Sequence, residues 1–156
     1  MTHEHVAADQ YDLAEKAAAT AGQHARKAAA PALIQRSATR VREIAEAKTR
    51  FKALKGHLAT LAETPDHPEA NLEMGQFLCY VKDEWDLGLR FLAKGKDPVL
   101  KALAEKEIAL PTQAQDLAAL ADQWTSLAEK EKSPLRKGQM AAHARTLYEL
   151  ALPAAT

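Results

Sequence analysis

The prolines constrain this chain more than any other feature. They stand at 31, 65, 68, 98, 111, 134 and 153, and none interrupts a stretch of periodic apolar residues. Inside a helix, proline removes a hydrogen bond and clashes with the preceding turn; in the first turn it fits without strain. The spacing predicts helices over about 6–29, 32–63, 67–82, 84–95, 98–109, 113–131 and 135–152. Capping residues mark several of the breaks. Asp66 and Glu69 have capping-box spacing, Asp97 precedes Pro98, Thr112 stands three before Gln115, and Ser133 precedes Pro134. Alternating runs of Val, Ile and Thr, the mark of strands, are absent. The class is all-α.

The segment 32–63 is the longest. Ile34, Ala38, Val41, Ile44, Phe51, Leu54, Leu58 and Leu61 recur at threes, fours and their multiples, as on one helix face. At 1.5 Å per residue it spans roughly 45 Å and needs a partner along its length. The alanine-rich segment before it supplies one, as an antiparallel hairpin turning at Ala30–Pro31. Self-pairing as a coiled coil is the alternative, although Lys48 and Lys55 interrupt a strict heptad.

Charge and cysteine content narrow the function classes. The 156 residues carry 21 basic and 21 acidic side chains, without the basic excess of a nucleic-acid binder. No run of 18 apolar residues is present to span a membrane. The start, MTHEHVAADQ, has neither a basic start nor an apolar run, so no secretory signal is visible in it; a cytoplasmic protein is the default expectation, and an exported one if the chain is a processed or excised domain. Cys79 is the single cysteine, so neither an internal disulfide nor a cysteine-rich zinc site is available.

Two glycines, Gly88 and Gly95, stand in EWDLGLRFLAKGKD, which otherwise reads as the start and body of a helix, where each costs about 1 kcal/mol against alanine. Packing explains them. Gly88, Leu92 and Gly95 are spaced four and three, as are Ala144, Tyr148 and Ala151. Small–large–small at that spacing shares one helix face and admits a close neighbour. The pattern resembles the second helix of tetratricopeptide (TPR) and Sel1-like repeats. Gly75 lies thirteen residues before Gly88, against twelve in such repeats, which implies a one-residue insertion. Trp85 and Trp124 take the bulky positions, and Tyr11, Ala14, Ala18 and Ala21 form a weaker echo. The connection EKEKSPLRKGQMA is about eleven residues longer than the repeat norm. At finer grain, PEANLEMGQFLCYVKDEWDLGLRFLAKGKDPVLKALAEKE followed by LAEKEK resembles a helical domain of large planctomycete bacterial proteins. That likeness implies an all-helical fold and brings no active site with it. The expected architecture is one domain over 1–156, with antiparallel hairpins stacked in a TPR/Sel1-like array: a long hairpin at 6–63 and repeat-like units at 64–109 and 112–152.

The expected core is Leu72, Phe77, Leu78, Val81, Trp85, Leu89, Leu92, Leu103, Leu117, Leu120, Trp124, Leu127, Leu147 and Tyr148. Candidate chemistry is sparse. His3, Glu4 and His5 give too few ligands for zinc. His24, His57, His67 and His143 read as scattered, partly exposed polar positions. Cys79 reads as a small buried hydrophobe, and the acids Asp83, Glu84 and Asp86 as helix-start capping. No phosphate loop, nucleophile elbow or HExxH motif is present, so no catalytic residue, cofactor or metal is expected. A non-catalytic protein- or peptide-binding helical module, a scaffold or adaptor, is the first expectation, as a monomer or homodimer. Arg90, Lys94, Gln123 and Arg145 are its candidate partner-binding residues, and Arg90 and Arg145 flank the small residues of the two matching helices. The alternatives are a small-ligand or carbohydrate-binding domain that uses Trp85 or Trp124 as a stacking platform, and a structural element self-assembling through the 32–63 helix.

Overall fold

The computed structural model describes residues 6, 8–109 and 113–152. Seven α-helices occur among them, with no strand. They are α1 (Tyr11–Lys27), α2 (Pro31–Glu63), α3 (Pro68–Phe77), α4 (Trp85–Leu92), α5 (Pro98–Ile108), α6 (Ala114–Lys130) and α7 (Pro134–Ala151). A π-helical turn, Leu78–Lys82, continues α3. The chain divides into two compact units, Met1–Ala53 and Leu54–Thr156, with the division inside α2.

In the first unit, α1 and α2 run antiparallel. Tyr11 meets Phe51 at a centroid distance of 5.2 Å, Lys48 reaches Asp12 and Glu15 at 2.7 Å each, and Gly22 approaches Ser37. The turn uses Ala29 at φ 47°, a left-handed conformation that costs a residue with a Cβ about 1 kcal/mol. Ala30 N–H closes it by bonding the Ala25 carbonyl. The buried stripe of α1 is Ala14, Ala18, Gly22 and Ala25; Ala21 of the expected pattern is exposed. The expected single face of 32–63 also needs correction. Ile44, Ala47 and Leu54 are buried, while Ala38, Val41 and Leu58 face solvent. Over so long a helix, spacings in multiples of three and four drift around the axis.

In the second unit, α3 with its π turn and α4 form a tight antiparallel hairpin. A Cβ on Gly88 would run into Cys79 Sγ and lie 3.1 Å from the Gly75 carbonyl oxygen, while one on Gly75 would lie 2.8 Å from the Leu92 backbone nitrogen. The glycines permit backbones to touch where alanines could not. Gly95 lies beyond α4, in the turn against Leu72, so it is not on the helix face expected of it. The π turn falls between Gly75 and Gly88, and a π turn takes up one residue more than an α turn.

The caps follow the expected chemistry in part. Asp97 Oδ1 accepts from Val99 N and Leu100 N, and Ser133 Oγ accepts from Arg136 N. The cap of α3 is His67, whose Nδ1 accepts from Ala70 N. Asp66 and Glu69 instead pair with Lys94 and Lys96 across the hairpin. Thr112 lies outside the described residues, and Gln113 caps α6 without a side-chain bond.

Also in this unit, α6 and α7 pack extensively against each other, and α5 packs against α6. Leu72, Tyr80, Trp85, Leu92, Leu103, Leu120, Trp124 and Leu147 are joined in one buried cluster. Phe77, Leu78, Val81 and Leu89 are buried as expected. Leu117 and Leu127 are only partly buried. Tyr148, assigned to the core, is 36% exposed because its hydroxyl reaches out to Asp122.

Candidate binding cleft

The candidate site grows out of the π turn. The turn ends at Asp83, which adopts φ 61°. This left-handed residue reverses the chain so that Trp85 Nε1–H donates to Asp83 Oδ1 at 3.0 Å. The acidic turn therefore works otherwise than as a helix cap: Glu84 holds the cap position of α4 without a side-chain bond, and Asp83 satisfies an indole.

Trp85 lies flat on His143 of α7, with centroids 3.6 Å apart and planes 4° from parallel. Trp124 of α6 meets both edge-on, at 5.1 Å from Trp85 and 5.5 Å from His143. Glu107 of α5 completes the group. Its Oε2 accepts from Trp124 Nε1–H at 2.8 Å, and its Oε1 lies 2.7 Å from His143 Nε2. A carboxylate accepts at both oxygens, which assigns the Nε2 proton to His143. Burying Glu107 without these donors would be costly; with them, one carboxylate ties α5, α6 and α7 together.

His143 is thus no scattered surface histidine: it is 9% exposed. It precedes Ala144 on the inward face of α7, along with Met140 and Leu147, so α-helical periodicity could have found it. Glu107 carried no such signal, because its role depends on Trp124 and His143 arriving from later in the chain. His24 is exposed, and His57 and His67 are intermediate.

Above this group opens a cleft of about 930 Å³. Trp85, Leu89 and Arg90 of α4, Glu107 and Ile108 of α5, Leu117 of α6, and His143, Arg145, Thr146, Leu147 and Leu150 of α7 line it, along with Asp83 and Asp86. Two of the four candidate partner-binding residues, Arg90 and Arg145, therefore meet at one cleft. The other two lie elsewhere. Lys94 pairs with Asp66 at 2.8 Å, and Gln123 lines a separate groove beside Val99 and Leu127, bonded to Lys106 and the Ala119 carbonyl.

Both indoles are buried, Trp85 at 9% and Trp124 at 0% exposure, so neither offers an open face for stacking a sugar. Cys79 is fully buried, and burial pushes its thiol well above the usual range, which leaves it protonated and unreactive. Among the described residues no group of His, Cys, Asp and Glu could hold a metal ion; His3, Glu4 and His5 lie outside them. No described helix is long and apolar enough to cross a membrane. No protein-family model, curated protein or solved structure matches the chain.

Proposed function

We propose that this chain is a non-catalytic protein- or peptide-binding module of helical hairpins, a scaffold or adaptor that binds its partner at the cleft over Trp85 and His143. One observation carries the reading: Arg90 and Arg145, 55 positions apart in sequence, line one cleft whose other wall is leucine and isoleucine. Concave apolar surfaces with a few charged groups at the mouth are where proteins take ligands. The close-packed hairpin at Gly75 and Gly88 supports kinship with TPR- and Sel1-like repeats, which act by binding peptides. The polar groups beneath the cleft are engaged with each other, Glu107 at both oxygens and His143 at Nε2, which favours binding over chemistry.

The test is affinity capture from source-organism lysate by the parent chain and by Arg90→Glu/Arg145→Glu, with helical content and melting compared first. Both arginines are exposed, so the variant should fold as the parent does. A partner held by the parent and lost by the variant is the expected result. Recovery of the bait alone from both would count against the module. Self-assembly through α2 is a second reading, favoured by Leu33 and Leu58, each 50% exposed. Light scattering that finds a monomer at high concentration would remove it.

A further inference from the structure

We propose that the closed end of the α1–α2 hairpin docks on the surface of an anionic lipid bilayer, which it enters at the headgroups without crossing. This surface belongs to the first unit, so it stands or falls separately from the cleft.

The zero net charge of the chain hides a lopsided distribution. Residues 16–42 hold Lys16, Arg26, Lys27, Arg36, Arg40 and Arg42, and not one Asp or Glu. They make up the closed end, from the body of α1 through the turn into the first turns of α2. At the open end the charges cancel in pairs, Lys48 with Asp12 and Glu15, and Arg50 with Glu46. Arg40 is likewise held by Glu43 at 3.0 Å. Arg26, Lys27 and Arg36 are exposed and have no acidic partner among the described residues.

Helix chemistry accounts for only part of this run. Arg26 and Lys27 stand in the last turn of α1, where a cation suits the helix dipole. Arg36 lies in the second turn of α2, whose first turn carries no acid. A helix N-terminus is where the dipole favours acids. The acid-free run therefore continues across an end that local stability would furnish with carboxylates.

The apex of the hairpin decides which polyanion fits. Between Lys27 and Arg36, residues 28–33 read AAAPAL, without a polar side chain. All but Ala30 are exposed, and Leu33, the largest of them, is 50% exposed. Nucleic acids are held through polar side chains and N–H donors, which this apex lacks at the point of closest approach. A bilayer suits it better: apolar groups settle at the boundary of headgroups and acyl chains, and Lys and Arg stems extend to the phosphates. An extended anionic plane also needs no convergence of the cations on one point. Arg36 is three residues past Leu33, about 4.5 Å along the axis. It and the last-turn cations of α1 therefore reach headgroup level when the apex enters.

The full chain is to be sedimented with phosphatidylcholine vesicles, with and without phosphatidylserine. Binding is expected only with phosphatidylserine, and it should fall with added salt. Arg26→Gln, Lys27→Gln and Arg36→Gln should each weaken it about fivefold, and the three together about a hundredfold. Arg26→Lys/Arg36→Lys keeps the charge and should bind as the parent does, and matched helical content excludes lost folding in the triple variant. Leu33→Ser should weaken binding about threefold or more with the same salt dependence. Equal sedimentation with both vesicles, sedimentation with neither, or full binding by the triple variant would overturn the proposal. A Leu33→Ser chain that binds as the parent does would overturn entry of the apex. Duplex DNA held more tightly than the vesicles, and lost by the triple variant, would put nucleic acid in place of the bilayer.

Discussion

The two units of this chain are held together by different means. The hairpin of α1 and α2 closes mainly on small residues, Ala14, Ala18, Gly22, Ala25 and Ala47, with Ile44 as its fully buried large aliphatic side chain and Tyr11 against Phe51 as a ring contact near its open end. The unit from residue 54 onward buries Trp124, Tyr80, Trp85 and a dense set of leucines. Buried apolar area stabilises at about 25 cal/mol per Å², so an alanine seam gains little from each residue it hides. It relies on helix propensity and on two backbones lying close together. The aromatic unit gains far more per residue, and it holds His143 and the partly buried Glu107 beneath a cleft.

Removing volume should expose this difference most sharply. Trp124→Ala deletes the largest fully buried side chain and withdraws an N–H donor from Glu107. A loss of about 3–5 kcal/mol is expected, read by denaturant unfolding. Trp124→Phe keeps most of the ring and loses the donor, so about 1–3 kcal/mol should go. A cost for Trp124→Ala no greater than for the Phe variant would mean that the bond to Glu107, rather than packing, holds the unit. Hydrogen exchange should show that the hairpin amides of 11–51 respond less than those of 114–151.

Adding volume tests the one place where the second unit also depends on closeness. Gly88→Ala drives a methyl into Cys79 and toward the Gly75 carbonyl. The strain should cost about 1–3 kcal/mol despite alanine's better helix propensity. Gly88→Ala combined with Cys79→Ala frees part of that space and should recover some of the loss. A stabilised Gly88→Ala would show that α3 and α4 can part more readily than their contact distances indicate.

Much of this fold was legible in the sequence for local reasons. Proline at the first turn and Asp97 and Ser133 before it act within four residues, and the structure keeps those starts. The glycine spacing named the close hairpin because small residues leave a mark on the chain itself. The failures are non-local. Asp66 looked like a cap until Lys94 came across the hairpin to meet it. Tyr148 looked like core until Asp122 offered its hydroxyl a partner at the surface. The candidate site divided the same way. Arg90 and Arg145 were visible because each flanks the small residues of its helix, whereas the Glu107–His143–Trp124 group needs three helices to meet before it exists.

Smaller effects should come from exchanging glycine and alanine where each sits in the other's natural place. Gly138 lies within α7, and a Cβ at that position would have no neighbour within 4 Å, so Gly138→Ala should stabilise by about 0.5–1 kcal/mol. Ala29 holds a left-handed turn, and Ala29→Gly should relieve about 1 kcal/mol there, less what glycine adds to the entropy of the unfolded chain. Thermal melts report the first, and hydrogen exchange of α1 and α2 assigns the second to the hairpin. An Ala29→Gly chain with weaker protection would show that the turn is not what limits the hairpin.

The smallest effect belongs to Lys48, which draws Asp12 and Glu15 to the alanine seam. Its hydrogen bond and charge hold the Asp12 carboxyl below the usual range, and Asp12 and Glu15 raise Lys48. A depressed carboxyl contributes stability above its unfolded pKa, about 3.9, and loses it as pH falls through the folded value. A raised ammonium contributes below its unfolded pKa, about 10.4, and loses that as pH rises through the folded one. The gap between parent and Lys48→Met should therefore be widest between about pH 4 and pH 10.4, narrow at either extreme, and shrink with added salt. Tyr11, pushed upward chiefly by burial and then by Asp9, adds an alkaline loss common to both proteins, so the difference between them still isolates the lysine. Hydrogen exchange across 11–51 is the readout. A gap that survives high salt unchanged would mean that Lys48 acts through its aliphatic stem against the seam, and the hairpin would then resemble the aromatic unit in depending on packing.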